Sequence, residues 1–304
     1  MDAESANWAK VMQSAQIQLR PQGPYSLSES ARFLEGFAPA AHEGADAEGH
    51  LHLAFCVEGD WAPVGVCLRE EASAVTAEIW GPADQNAVGA QLARILSLDV
   101  EASEFTAVAE RDPVVGRLQE RHPGLRPVCF FSPYEAAVWA LISHRVRIVQ
   151  AANLKERMAC ELGHAVDIHG HERFAFPGPA RLRDLESFRG LTARKVDNLR
   201  ALADAAEAGV LDAARLRSLQ ADEALSQLKE LPGIGDFSAE LILVRGAGEP
   251  DLLPSKEPRL ARAAALAYGL DSPPSQAELE ELATAWAPYR SWVSFLLRGG
   301  GEAG

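Results

Sequence analysis

The segment Leu228–Gly246 constrains the fold of this chain more than any other stretch, because it joins two helices through a very short turn. It reads LKELPGIGDFSAELILVRG, with one helix ending at Leu-Pro-Gly and a second starting after the next glycine. Gly233 and Gly235 permit positive φ angles and a close approach by another molecule. The first N–H groups of the second helix have no partner inside that helix, so they can hold a phosphate. The segment predicts a helix-hairpin-helix that binds a DNA backbone without reading bases, with a plain αα-hairpin as the alternative.

The sequence pattern changes near Asp112. Before this residue, three apolar stretches between His50 and Trp80 are separated by turn residues, as in an antiparallel meander, and Ile17–Pro21 alternates like a half-buried strand. After it, helical periodicity dominates, with short Gly- or Pro-bearing links. We therefore predict an α+β fold of two domains, a small N-terminal antiparallel sheet with helices over residues 1–111 and an all-α domain over residues 112–304.

The composition is that of an ordinary globular protein, with 47% apolar and 24% charged residues. No stretch approaches the ~18 apolar residues that cross a membrane, and no secretory pattern opens the chain, so we expect a cytoplasmic protein without a membrane partner. The net charge of −14 argues against non-specific coating of nucleic acid, although a local basic face can lie on an acidic body. The cysteines lie far apart, which favours reduced thiols and no cofactor, at Cys56, Cys67, Cys129 and Cys160.

Three histidines lie close together in ELGHAVDIHGHERF, at His164, His169 and His171. A transition-metal site is one interpretation of this cluster. However, neither a cysteine nor a regular helical spacing accompanies the histidines. We favour a surface loop, and we expect no metal ion to be bound by side chains.

Several segments of the chain, in this order, resemble the helix-hairpin-helix DNA glycosylases, and among them bacterial DNA-3-methyladenine glycosylase II. The resemblance covers nearly the whole chain and implies that the second domain is a helix-hairpin-helix glycosylase domain. It also implies a monomer whose partner is double-stranded DNA with damaged bases. The segments that carry it are IQLRPQGPYSLSESARFLEGF, RDPVVGRLQERHPGLRP, SPYEAAVWALISHRV, GLTARKVDNLRALADAA, LPGIGDFSAELILVRG, DLLPSKEPRLARAAALAYGL and WAPYRSWVSFLL.

The resemblance implies hydrolysis of the bond between an alkylated base, such as 3-methyladenine, and deoxyribose. The target nucleotide flips out of the duplex into a pocket. A methylated purine of this kind is positively charged and already a good leaving group. The protein must therefore mainly supply a stacking surface for a cationic ring and a carboxylate that stabilises an oxocarbenium-like sugar or orients water.

Aligning Asp251, Pro254 and Leu260 with the family pattern D-x-F-P-x-x-D places Glu257 where the family carries its catalytic Asp. Glutamate keeps the charge but moves the carboxylate by roughly 1.5 Å, and about 1 Å can cost ~10²-fold in rate. Pro258 favours an N-cap position for Glu257. We expect Glu257 to be the catalytic carboxylate, with Asp251 as the second candidate. The alternative is a carboxylate that only stabilises a helix start.

The end of the apolar helix also departs from the family. Relatives tend to carry Gly-Gln-Gln or Gly-Gln-Leu where this chain has Ser143, His144 and Arg145. The resemblance implies that Arg145 fills the gap left by the flipped base, since a guanidinium can stack on bases and pair with phosphate. His144 can hydrogen-bond a base edge. For both residues, the alternative is a helix-end cation that serves the helix dipole.

Phe237 stands where bifunctional glycosylase/lyases carry a lysine. Without an amine at this position the Schiff-base route lacks its nucleophile, so a monofunctional hydrolase is implied. Relatives often have Trp here, and the Phe237 ring can line the base pocket by stacking. Trp139 and Trp292 can do the same, and for all three residues core packing is the alternative.

The expected DNA-binding surface combines the hairpin backbone with a few basic side chains. The family can also hold a monovalent cation at the hairpin through backbone carbonyls, which leave no side-chain signature. The residues expected in this surface are Leu231, Gly233, Ile234, Gly235, His144, Arg145, Arg147, Arg245, Lys256 and Arg259.

Two other interpretations stand beside the glycosylase. The change from Asp to Glu at position 257 is compatible with a catalytically attenuated or inactive relative that binds DNA or lesions through the hairpin. The other is a helical protein-interaction module in which the hairpin is incidental. Excision of damaged bases separates the first of these from an active enzyme, and salt-dependent DNA binding separates the second.

Overall fold

The computed structural model describes residues 15–39, 44–72 and 74–299. Its first part contains a four-stranded sheet in the order β1-β4-β3-β2, with every neighbouring pair antiparallel. The strands lie where the alternating pattern predicts them. They are β1 (Ala15–Leu19), β2 (Leu51–Cys56), β3 (Pro63–Glu71) and β4 (Ala74–Trp80).

One face of this sheet carries the N-terminal core, because side chains alternate between the two faces along each strand. Leu53 and Val66 point to this face and are almost completely buried. Helices α1 (Leu27–Gly36) and α2 (Gln85–Ile95) pack their apolar stripes against the same face. Sheet and helices thus form a two-layer unit.

The chain from Val108 onward is largely helical, as its periodicity predicts. Helix α5 begins at the expected Ser132 cap, whose hydroxyl accepts the N–H of Glu135, and it is buried over almost its whole length. The helices after α2 are α3 (Val108–Arg111), α4 (Pro113–Arg121), α5 (Pro133–Ser143), α6 (Ile148–Leu162), α7 (Pro179–Arg183), α8 (Ala193–Glu207), α9 (Ala213–Ser218), α10 (Ala221–Lys229), α11 (Asp236–Leu241), α12 (Pro258–Tyr268), α13 (Gln276–Ala283) and α14 (Arg290–Leu297).

A β-hairpin interrupts the helical part where the sequence analysis expected a surface loop. Strands β5 (His164–Ile168) and β6 (His171–Ala175) pair with each other and cover the face of the large sheet that points away from the N-terminal core. Gly65 on β3 permits this contact, since a Cβ there would lie 2.6 Å from Cγ1 of Val166. The hairpin is stabilised by packing on a sheet from a distant part of the chain, so its strands need no strong alternation of apolar and polar residues.

Three large clusters of buried apolar side chains organise the molecule. The first cluster lies between the sheet, α1 and α2. The second lies among α5, α6, α8 and the helix-hairpin-helix. The third lies among α4 and the helices α12 to α14. Phe105 and Val108 precede the domain boundary expected at Asp112, yet they pack in the third cluster with Trp286 and Trp292. Core packing thus joins the segment just before Asp112 to the C-terminal helices.

A buried arginine on α2 connects the sheet to the helical part. The guanidinium of Arg94 donates to the carbonyl oxygens of Phe130, Phe131 and Gly246. It also pairs with Glu58, whose Oε1 lies 2.7 Å from Nη2 of Arg94. The other oxygen of this carboxylate accepts the first N–H of α9. Buried charges are tolerated only when they are paired and hydrogen-bonded, so these partners must stay in one arrangement.

The second helix of the helix-hairpin-helix widens into a π-helical turn at Ile242–Gly246. Arg245 in this turn is 8% exposed and donates to a backbone carbonyl of the segment before α5. The rings of Phe33, Phe37 and Phe295 lie 4.9 to 5.2 Å from its guanidinium carbon. Burial lowers the pKa of Arg245 to about 10, and cation–π contacts offset part of the cost of burying the charge.

None of the helices in the described residues has the length and apolar character that a bilayer crossing requires. All four cysteines are free. Cys56, Cys67 and Cys129 are buried, whereas Cys160 is exposed, although a buried thiol is the usual form for a free cysteine.

Arg94→Met should lower the free energy of unfolding by about 3–5 kcal/mol, because it leaves the Glu58 carboxylate buried without its partner. Urea unfolding followed by circular dichroism measures the change. Lys229→Met is the control, since the side chains of Lys229 and its partner Asp236 are 45% and 63% exposed. Loss of this pair should cost less than about 1 kcal/mol. Equal losses for both variants would show that Arg94 does not hold the junction together.

Candidate active site and nucleic-acid interface

The turn between α10 and α11 has the geometry that its glycines predict. Gly233 has φ +84°, in the left-handed region. A Cβ on Gly233 would lie 2.5 Å from Cδ2 of Leu141 on α5 and 2.7 Å from Nδ2 of Asn198 on α8. Glycine at this position therefore lets the turn lie directly against α5 and α8.

Gly235 begins α11 with φ −105° and open space around its Cα atom. Its carbonyl accepts the N–H of Ala239 at 2.9 Å, and the carbonyl of Leu231 accepts the N–H of Ile234 at 3.1 Å. These two hydrogen bonds close the turn and the first turn of α11. The first N–H groups of α11 have no acceptor within the helix, which suits an anion.

The two apolar side chains of the turn differ in exposure. Ile234 is 6% exposed and packs in the helical core, whereas Leu231 is half-buried against that core. Ile234 can therefore meet a DNA strand only through its backbone, because its side chain faces inward.

The loop between α5 and α6 lies beside this turn. Lys195, one helical turn before Asn198, donates to the carbonyl oxygens of Ile142 at 2.9 Å and of His144 at 3.2 Å. Burial lowers the pKa of Lys195. The side chains of His144 and Arg145 are exposed, and Arg145 has φ +57°. A residue other than glycine is uncommon in the left-handed region, and here it is an exposed cation in the loop next to the hairpin.

An exposed apolar pair adjoins this loop, and the sequence analysis missed it. Ile148 is 45% exposed and Val149 is 70% exposed at the start of α6, three and four residues after Arg145. Exposed large apolar side chains at one place indicate an interaction surface. The available signal was the β-branched pair itself, which directly follows the polar end of the loop.

A cavity of about 40 Å³ opens between α11, the start of α12 and α14. Phe237 lines it and is 45% exposed, as a stacking surface requires. Glu257, directly before α12, and Arg298, directly after α14, also line this cavity. A cavity needs about 10–15 Å³ to hold one water molecule. A purine therefore fits only if side chains at the opening, such as those of Phe237 and Arg298, move aside.

Glu257 is the N-cap of α12, and its carboxylate also lines the cavity. Its Oε1 accepts the N–H of Arg259 at 3.1 Å, and its Oε2 lies 3.2 Å from Nη1 of Arg298. The Glu257 side chain is 11% exposed. The carboxylate caps the start of α12, and the residue also lines the cavity, so both interpretations of Glu257 stay open.

Glu240 is a second carboxylate at the cavity, and the sequence analysis missed it. It is 7% exposed, and its oxygens accept the Ser255 hydroxyl at 3.1 Å and the Lys256 N–H at 2.8 Å. Burial raises the pKa of Glu240 although these hydrogen bonds act in the opposite direction. Glu240 thereby positions the segment that leads into Glu257. Its signal in the sequence was a carboxylate between two apolar neighbours on a helix.

Asp251, the second candidate for the catalytic carboxylate, has a different position. Its Oδ1 accepts the N–H of Arg290 at 3.1 Å, and its Oδ2 lies 2.7 Å from Nη1 of the same residue. These contacts cap the start of α14, and the described lining of the cavity does not include Asp251. The carboxylate is therefore used in holding α14.

Trp139 and Trp292 lie in the core and not in the expected base pocket. Trp139 is 6% exposed on α5, and Trp292 is 2% exposed with its ring centroid 5.1 Å from that of Phe105. The residues described as lining the cavity include neither of them. Arg245, expected at the DNA surface, is 8% exposed and lies between aromatic rings, although it belongs to the lining of the cavity.

The charges around the hairpin are mixed. Lys256 and Arg259 are exposed at the start of α12, and Arg147 is exposed at the start of α6. Lys229 and Asp236 pair across the hairpin at 3.1 Å. The excess of acidic residues, which gives a net charge of −14, therefore does not make this face uniformly acidic.

Comparison with known proteins agrees with this geometry. No family model matches the chain. A DNA-3-methyladenine glycosylase of Bacillus subtilis is 22% identical over 205 residues, which are 66% of this chain and 67% of the relative. DNA-3-methyladenine glycosylase 2 of Escherichia coli is 28% identical over 59% of this chain and 61% of its own length. A probable bifunctional transcriptional activator/DNA repair enzyme AlkA of Mycobacterium tuberculosis is 30% identical over 67% of this chain, but the match spans 41% of that relative.

Among solved structures, the 3-methyladenine DNA glycosylase from Archaeoglobus fulgidus has a TM-score of 0.74 at 20% identity, covering 93% of this chain and 97% of that one. The 8-oxoguanine glycosylase/lyase of Clostridium acetobutylicum has a TM-score of 0.64 at 16% identity, covering 94% and 96%. The chain has the fold of the helix-hairpin-helix DNA glycosylases. Its sequence is similar to those of the DNA-3-methyladenine glycosylases, and the α+β architecture predicted from the sequence is confirmed.

Gly233→Ala and Gly235→Ala should have different effects on the stability of this protein. Gly233→Ala should cost about 1–3 kcal/mol, because the new Cβ meets Leu141 and Asn198 at a positive φ. Gly235→Ala meets no neighbour within 4 Å, and its lower backbone entropy in the unfolded chain offsets a poorer N-cap, so the change should stay within about 0.5 kcal/mol. Thermal and urea unfolding of both variants measure the difference. Similar losses would contradict this geometry of the turn.

Proposed function

We propose that this chain is a monofunctional DNA glycosylase that hydrolyses the N-glycosidic bond of an alkylated base flipped out of duplex DNA. The observation that carries the proposal is the Glu257 carboxylate, which lines a cavity next to the exposed ring of Phe237 and close to the hairpin. The names of the relatives support the class of substrate, since they are DNA-3-methyladenine glycosylases. DNA binding is supported by the hairpin and the exposed cations beside it.

Binding begins at the DNA backbone in this proposal. The N–H groups at the start of α11 hold phosphate, and Arg145 enters the duplex from the neighbouring loop to fill the space of the flipped nucleotide. Lys256 and Arg259 contact phosphates on the side of α12. Because few cations take part, we expect modest affinity that decreases steeply with salt.

Chemistry then depends on a negative charge beside the sugar. As the bond to the alkylated base breaks, the electron pair leaves with the base and positive charge develops on the deoxyribose. The Glu257 carboxylate stabilises this charge or orients the water that attacks the sugar carbon. Arg298 and the Arg259 N–H hold the carboxylate in position, at a cost to its effective charge. Phe237 supplies a stacking face for the base.

The monofunctional assignment rests on the residue at position 237. A phenyl ring there cannot form a Schiff base with the sugar, so strand cleavage lacks a covalent route at this position. Glu240 acts as a positioning residue in this scheme, because its hydrogen bonds to Ser255 and Lys256 hold the segment before Glu257.

An attenuated glycosylase that binds lesions is the second candidate. The observation that favours it is the engagement of both Glu257 oxygens, one by the Arg259 N–H and one by Arg298. A carboxylate with an additional methylene that is already paired in this way stabilises a developing cation less well than a free one.

Glu257→Gln should lower excision of 3-methyladenine from a duplex oligonucleotide by about 10²–10³-fold, because the neutral amide cannot stabilise the cationic sugar. Single-turnover release of the base measures the chemical step without product release. Glu280→Gln on the exposed side of α13 is the matched control and should excise like the wild type. Unchanged excision by Glu257→Gln would overturn the assignment of Glu257.

Glu257→Asp separates the active from the attenuated interpretation. Aspartate keeps the charge and is the better N-cap, but it is one methylene shorter. If the wild type is an adapted enzyme, this variant should lose activity, by up to about 10²-fold. A gain of excision over the wild type would instead support the attenuated relative.

Gly235→Ala should weaken binding to undamaged duplex DNA by at least about 10-fold, because a methyl group at the start of α11 keeps phosphate away from the backbone N–H groups. Fluorescence anisotropy over a salt series measures the affinity and its slope. Ser218→Ala, at the end of α9, is the control and should bind like the wild type. If Gly235→Ala binds DNA as tightly as the wild type over the salt series, the hairpin is not part of the interface.

A further inference from the structure

Histidine, cysteine and aspartate side chains, which are common metal ligands, cluster on the outer face of the large sheet at the β5–β6 hairpin. His52 on β2 and Cys67 on β3 are direct cross-strand partners on the face that points away from the N-terminal core. Both are buried, with 3% and 0% exposure, because the hairpin covers them. His171 on β6 stacks on His52, with ring centroids 4.8 Å apart. The fold therefore brings together donors from both halves of the chain.

The donor atoms are spaced as a metal site requires. His50, His52 and Cys67 have ligand atoms within 4.8 Å of one another, and so do Asp46, His52 and His171. Oδ2 of Asp46 lies 3.6 Å from Nδ1 of His50 and 3.8 Å from Nε2 of His52. Ligands at about 2.0–2.3 Å from a tetrahedral Zn²⁺ lie about 3.3–3.8 Å apart. Small side-chain adjustments are enough to place four of these donors around one ion.

The surroundings of the cluster orient its central ligands. Oδ1 of Asp46 accepts the backbone N–H groups of Glu48 at 2.9 Å and of His50 at 2.8 Å, which directs Oδ2 toward the imidazoles. The imidazole of His52 lies between Asp46, whose Oδ2 is 3.8 Å from Nε2, and the stacked ring of His171. Hydrogen bonds like those to Asp46, from groups outside the ligand set, are typical of metal sites and fix the ligand geometry.

An access route also reaches the cluster. A cavity of about 270 Å³ between the sheet, α6 and β6 includes His52 in its lining. Asp46 and His50 are partly exposed, with 20% and 23% of their side chains accessible. An ion can therefore reach the donors without unfolding of the hairpin.

We propose that this cluster binds one transition-metal ion of the Zn²⁺ type, with His52 as the central ligand, Asp46 and His50 beside it, and Cys67 or His171 completing the tetrahedron. Mixed imidazole, thiolate and carboxylate donors suit this class of ion, whereas Ca²⁺ and Mg²⁺ prefer oxygen alone. The site is built on the loop before β2, on β2, and on β3 or β6, apart from the elements around Glu257, so it does not depend on the proposed glycosylase activity. With His171 as the fourth ligand, the ion fastens the hairpin to the sheet.

The test uses the full chain without an affinity tag, because a histidine tag would bind the same ions. Elemental analysis after dialysis should find about one Zn²⁺ per chain, and chelation followed by reloading should lower and then restore the midpoint of thermal unfolding. Co²⁺ added to the chelated protein should show the visible absorption of a tetrahedral site. A thiolate-to-cobalt band would identify Cys67 as the fourth ligand.

The variants locate the site within the cluster. His50 is half-buried, so the His50→Ala variant should fold, which circular dichroism checks. It should lower the affinity for Zn²⁺ by about 10²-fold or more. His52→Ala should abolish binding, and either Cys67→Ser or His171→Ala should weaken it as well. His164→Ala, on the same hairpin, and Cys160→Ser, at an exposed thiol, are the matched controls and should bind like the wild type.

Three results would overturn the proposal. The first is a wild-type protein that retains no Zn²⁺ and shows no tetrahedral Co²⁺ spectrum. The second is unchanged binding by a folded His50→Ala variant. The third is equal loss of binding in the control variants, which would indicate adventitious surface binding.

Discussion

The buried guanidinium groups of Arg94 and Arg245 hold the segment that enters α5 between the N-terminal sheet and the helix-hairpin-helix. Arg94 reaches from α2 to the carbonyls of Phe130, Phe131 and Gly246, and Arg245 reaches from the π-helical turn to the carbonyl of Val128. Removing a partner from a buried charge is costly, so the contacts of Arg94 at this junction tolerate little rearrangement. Within the described residues, Nε of Arg245 has no hydrogen-bond partner, and three aromatic rings surround this guanidinium. This junction sets the orientation of the helix-hairpin-helix relative to the sheet, and it sets the position of α11 along the cavity.

The cavity inherits its geometry from that junction. The π-helical turn follows α11 directly, and π-helical turns are found frequently at functional sites. The turn directs Arg245 inward against Phe33, Phe37 and Phe295, which leaves Phe237 near the surface and Glu240 at the segment before Glu257. Glu257 is then held by its own helix start and by Arg298 from α14. Its position thus depends on three helices that meet only in the folded chain.

The β5–β6 hairpin shows a second way in which distant parts of the chain determine local structure. It covers the outer face of the sheet, and Gly65 leaves the space that Val166 occupies. Because of this cover, His52 and Cys67 are buried on a face that would otherwise be exposed to solvent. The same packing places His171 of the helical part against His52 of the sheet. His171 therefore belongs to the cluster around His52, although its position in the sequence suggests only a surface loop.

The sequence by itself determined the elements whose signals are local: the alternating strands, the Ser132 cap of α5, the glycine turn at Gly233 and the N-cap position of Glu257 before Pro258. These features depend on backbone sterics and on hydrogen bonds between residues near in sequence, so a short window contains their cause. Only the tertiary structure decided that Trp139, Trp292 and Arg245 are enclosed, that Asp251 caps α14, and that Glu240 and the histidine cluster lie where they do. Burial and side-chain pairing arise from contacts between residues far apart in the chain, which no local pattern records.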